Sequence, residues 1–202
     1  MTILELLTPA EAGANILRHV EARTLEQGAW HSGRVLEIAC LLGAIHEDIK
    51  KPGECPASVM PLWLAVATVT LFDGLAPDAI YPIAARYGAL VASGAAARAD
   101  EALLARWLCV VIRDACASAE PVVWPQIVAA GDQVIAALRN GLPAEEWAPA
   151  WASRVAVAWA SASLARSASP RSQRARAAAA VERAAAYLRL FTALLDEIEI
   201  AP

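Results

Sequence analysis

Proline stands at or just before the head of nearly every helix-periodic run in this 202-residue chain. Its locked φ and missing N–H suit the first turn of a helix and break the middle of one. Thr8-Pro9-Ala10-Glu11 is the fullest case: an N-cap threonine, a proline at N1 and a glutamate at N3, which make a capping box. Ile16, Leu17, Val20 and Thr24 then share a face, with His19 on its flank as a partly exposed helix histidine. Pro61 heads a run to Phe72, and Pro82 a run to Ser93 that Gly94 stops. Pro125 heads a run closed by Asn140-Gly141, Pro143 a seventh helix, and Ser169-Pro170 a last helix continuing to Ile198.

Two further helices lack that marker. Ser32 to His46 carries Val35, Ile38, Leu42 and Ile45 at helical spacing. Asp100 to Ser118 contains WLCVVI, apolar all round, which suits a central helix. VATVTLF before Asp73 is β-branched enough for a strand, but no partner strand is evident, so it reads as helix. The expectation is an all-α bundle of about eight helices in one domain spanning residues 1–202.

The last helix has the strongest periodicity: Ala177, Val181, Ala184, Leu188, Phe191, Leu195 and Ile198 alternate spacings of three and four. The seventh places Trp147, Trp151, Val155 and Trp159 four apart, with mostly Ala and Ser on its other face. Small residues let helices approach closely, so these two are expected to form a long antiparallel Ala-rich hairpin. The three tryptophans suit core or interface anchors better than the lining of a ligand groove.

Hydrophobic residues make up 58% of the chain and charged ones 19%. A typical domain is about 45–50% apolar, so these helices must be buried on several sides or hide surface in an oligomer. The net charge of −4 argues against a general affinity for nucleic acid. No basic-plus-apolar leader opens the chain, and Pro56 and Pro61 break its longest charge-free run, Cys55 to Phe72. Neither a signal peptide nor a membrane span is expected. Four cysteines without a CxxC pair read as reduced thiols in a cytoplasm.

Chemistry-bearing residues concentrate between Trp30 and Asp73, which holds two of the three histidines and two of the four cysteines. His31, Glu37, Cys40, His46, Cys55 and Asp73 are the candidates for an enzyme or small-ligand site. Glu37 and Cys40 are one helical turn apart, and Cys55 in a Pro-Gly-Cys-Pro loop is a possible nucleophile beside His31 or His46. On one continuous helix His31 and His46 are separated by about 22 Å of rise, too far to share an ion. There is no HExxH, no paired CxxC, no P-loop and no dinucleotide fingerprint, so no metal or cofactor is expected. The balance points away from an enzyme.

Arg166, Arg171, Arg174 and Arg176 surround the turn before the last helix with no acid among them, while Asp196, Glu197 and Glu199 lie at its far end. The arginines after Pro170 and the acids at the far end both oppose the dipole of the last helix. The basic tip suits an anion or nucleic-acid contact, or head-to-tail association, though it lacks the interleaved aromatics of a single-strand binder.

The segment EEWAPAWASRVAVAWASASLARS, Glu145 to Ser167, together with the Ala/Arg helix after it, resembles alanine-rich helical regions of bacterial immunity proteins and of proteins from phage and other mobile elements. The resemblance covers at most the last third of the chain and carries over no functional residue. It implies Ala-rich helices. The excess of apolar residues and the absence of any catalytic motif make the leading expectation a non-catalytic protein that binds another protein or itself, a homo-oligomer, through Trp147, Trp151, Trp159, Arg166, Arg171, Arg174 and Arg176.

Overall fold

The computed structural model describes residues 6–28, 38–118, 124–139 and 173–201. These contain six α-helices: α1 Pro9–Ala22, α2 Leu62–Phe72, α3 Ile80–Ala92, α4 Glu101–Ser118, α5 Trp124–Arg139 and α6 Gln173–Ile200. Short 3₁₀ turns occur at Pro52–Glu54 and Ala96–Arg98. Among the described residues there is no strand beyond an isolated parallel bridge between Leu25 and Ala39. The helix expected after Pro143 lies outside them.

The caps follow the sequence signals. Thr8 Oγ1 accepts the Glu11 N–H and the Glu11 carboxylate accepts the Thr8 N–H, so the capping box is reciprocal. The Thr8 hydroxyl also donates to that carboxylate, and these bonds hold the Glu11 pKa below its ordinary value. Asp100 caps α4 by accepting the Leu103 N–H at 2.8 Å. Pro61 sits at the N-cap of α2, one residue outside the N1 position expected for it. α3 starts at Ile80 and so carries Pro82 within its first turn, where no intrahelical N–H is needed.

One expected helix is overturned. Residues 38–46 are not helical. Ala39 instead pairs with the 24–26 segment, donating to Thr24 O and accepting from Glu26 N. Ala39 through Ile45 are all buried, which one face of a surface helix cannot achieve. The run is a buried coil of turns whose polar backbone is satisfied from elsewhere: Asn15 Nδ2 donates to Ile45 O at 2.8 Å. The helical rise proposed between His31 and His46 therefore does not apply.

The core gathers around the C-terminal half of α6, which packs on α2, α3 and α4. Leu190, Phe191, Leu194, Leu195 and Ile198 are buried there, and the Phe191 ring meets Tyr87 edge-on at 6.0 Å. This stripe matches the expected one in the C-terminal half of the helix and departs from it before that. Phe191, Leu195 and Ile198 face the core, whereas Val181 is 70% exposed and Leu188 lies at the surface. α4 is central in that it touches both α5 and α6, but its apolar run is not buried all round: Cys109 is exposed.

Two indoles fix positions as well as volume. Trp107 Nε1 donates to Leu190 O at 3.1 Å, and Trp63 Nε1 to Ala99 O at 3.3 Å, with the two rings stacked 6.4 Å apart. α1 lies along α3 at a crossing that needs Gly13, where a Cβ would fall inside the Ala92 backbone. The acids at the end of α6 are paired with arginines of neighbouring helices. Arg86 of α3 binds Asp196 at 2.7 Å and also Glu199, and Arg106 of α4 binds Glu197 at 2.7 Å. Partial burial pulls the Arg86 pKa down, and its two carboxylates more than offset that.

Candidate functional site

The α2–α3 turn and the N-terminal half of α6 enclose a groove of about 750 Å³. Its loop wall carries Asp73, Leu75 and Asp78, and its helix wall Val181, Arg183 and Leu188. The groove exists because Gly74 has no side chain: the Tyr187 ring rests where a Cβ would be. This close approach seats α6 against the turn while leaving the space beside it open.

Asp73 is the C-cap of α2, where the last backbone carbonyls concentrate negative potential. Gly28 N donates to its Oδ1 at 3.0 Å. Gln27 Nε2 caps the same helix end, donating to Phe72 O at 2.7 Å and Leu75 O at 2.8 Å. The residue as a whole is exposed, yet its carboxyl is partly desolvated against this cap, and that burial raises its pKa despite the Gly28 bond. Among the described residues neither Asp73 nor Asp78 pairs with a cation, and Arg183 pairs with no carboxylate. Burial also raises the Tyr187 phenol, with Arg183 pulling the other way.

The other described sequence candidates, Cys40, His46 and Cys55, do not gather into one site. His46 Nδ1 accepts the Asp48 N–H at 3.2 Å, a local turn contact. Cys55 is packed against the core, and desolvation pushes its thiol up to about 12, so it is neutral and a poor nucleophile at pH 7. Cys40 is buried, accepts the Gly43 N–H at 3.3 Å, and is raised by desolvation with a smaller push from Asp73. Among these residues the structure brings together only Cys40 and Asp73. No family model, curated protein or solved structure matches the chain.

All four cysteines are free thiols. Among the described residues no three of His, Cys, Asp and Glu form a metal-binding group, and no helix is long and apolar enough to cross a membrane. His31, Glu37, Trp147, Trp151, Trp159, Arg166 and Arg171 lie outside the described residues. Arg174 and Arg176 belong to the first turns of α6, with side chains outside the description. Arg183 and Tyr187 were not singled out by sequence. Their only signal was a polar pair four apart on an otherwise Ala-rich helix.

Proposed function

We propose that this is a non-catalytic interaction protein, cytoplasmic and bacterial, that binds another protein through Ala-rich helix faces, a second copy of this chain in the simplest case. One observation carries the reading: apolar side chains stand exposed at helical spacing on two elements. Val181 and Leu188 are seven apart on α6, and Trp124 and Val128 four apart on α5, each of the latter 43% exposed. Alanines beside Val181 give the flat surface onto which another helix packs. The excess of apolar over charged residues agrees with this use, as does the resemblance of Glu145 to Ser167 to immunity and phage proteins. An antiparallel hairpin of the 143–168 segment with α6 belongs to the same proposal.

Light scattering tests it. The expected result is a mass above the 21.3 kDa of one chain, rising with concentration and reduced by Val181→Asp. A monomer throughout the micromolar range rejects self-association.

A further inference from the structure

We infer that the groove between the α2–α3 turn and α6 binds a small organic ammonium on an apolar stem, with Asp73 as its counter-ion. This goes beyond helix docking, which requires only an apolar face. Three independent features converge on a cation. Asp73 ends α2, so the helix dipole adds negative potential at the place where the carboxylate already sits. Asp78 lines the same wall, and neither acid has a cationic partner among the described residues. The Gly28 N–H takes Oδ1, which orients the carboxylate, and among the described residues no hydrogen bond occupies Oδ2, which can accept from a ligand. The rest of the groove supplies hydrocarbon: Leu75, Val181 and Leu188 offer an apolar stem a surface along α6.

Arg183, on the helix wall, sets the sign of the test. It opposes a cation and would favour an anion. The protein uses its loop wall for attraction, so removing the two charges must act in opposite directions.

Dansylcadaverine, a primary ammonium on a five-carbon stem, is a suitable fluorescent probe, with the uncharged N-butyl dansylamide as control. The titration is run below the protein concentration at which light scattering detects association, so that failure of helix docking does not affect the result. The wild type is expected to bind the ammonium saturably and in preference to the control. Asp73→Asn, which keeps the acceptor for Gly28, should weaken it about tenfold, and Arg183→Gln should tighten it. Far-UV circular dichroism verifies that both variants are folded. Absence of saturable binding, indifference to Asp73→Asn, equal binding of the uncharged control, or reversed signs would each overturn the assignment; the last would make the groove an anion site.

Discussion

Replacing Tyr87 by Phe removes one oxygen atom from the centre of the protein, and the structure sets what that costs. Tyr87 is buried, accepts a hydrogen bond from Thr68 Oγ1 at 3.0 Å, and donates to Met60 Sδ at 3.0 Å. Desolvation holds its pKa well above the ordinary phenol value, so the neutral O–H is the form that counts. Thr68 is itself fully buried. In Tyr87→Phe the threonine hydroxyl is left without its acceptor, a penalty of about 1–3 kcal/mol, whereas the lost sulfur acceptor was weak. The expected destabilisation is about 2 kcal/mol, or about 4–8 °C in Tm for a chain of this size. Thr68→Val, which removes the hydroxyl and its need together, should cost about 1 kcal/mol. The double variant should then lose about 2 kcal/mol, less than the sum, because only one interaction was shared. Urea unfolding at constant m-value reads all three differences. An additive double variant, or Tyr87→Phe within about 0.5 kcal/mol of wild type, would refute the argument. Either would mean that Thr68 turns its hydroxyl to the Leu64 carbonyl one turn back, as helix threonines do.

Three shorter expectations accompany it. Gly13→Ala drives a methyl into the Ala92 backbone, which cannot yield as a side chain would; it should cost about 1–3 kcal/mol in urea unfolding, while Gly53→Ala, facing open space, serves as a neutral control. Asp73 has a folded pKa above its unfolded value of 3.8, so the folded state binds its proton more tightly and stability falls as pH rises from 3.8 through the folded pKa. Asp73→Asn should therefore be more stable than wild type at pH 7, with the advantage gone below 3.8; a less stable variant at pH 7 would contradict this. Arg86→Ala should lower stability by about 1 kcal/mol, since its acids are largely solvent-exposed, and the loss should shrink when salt is raised to about 1 M.

The helix starts were legible because caps are local chemistry. Thr8, Pro9 and Glu11 need no tertiary partner to signal a beginning, and Gly94, at φ +75°, needs none to signal a stop. Spacing failed where burial was complete. Leu42 and Ile45 mimic a helix face, but with every residue from Ala39 to Ile45 inside, the apolar pattern carries no period at all. The stripe of α6 holds at Phe191, Leu195 and Ile198 but fails at Val181 and Leu188, for a related reason. Its alanines fit either face, and Val181 and Leu188 drew the stripe away from Leu190 and Leu194. Asp73 was identifiable as chemistry-bearing, but its groove was not. Arg183 and Tyr187 reach it only because Gly74 admits the Tyr187 ring across more than a hundred residues of chain, a contact that no local pattern encodes.

The Trp107 bond to Leu190 has a consequence for how this chain tolerates change. An alanine-covered helix is nearly smooth, and smooth helices slide, since a shift by one turn presents much the same surface. Here a directional bond from the indole to one carbonyl, together with the arginine clamps on Asp196, Glu197 and Glu199, sets the register of α6 from its C-terminal third. Position and recognition are thereby assigned to different ends of one rod. Residues 180–185 can change their charge or shape, and so what the groove accepts, while the helix stays in place.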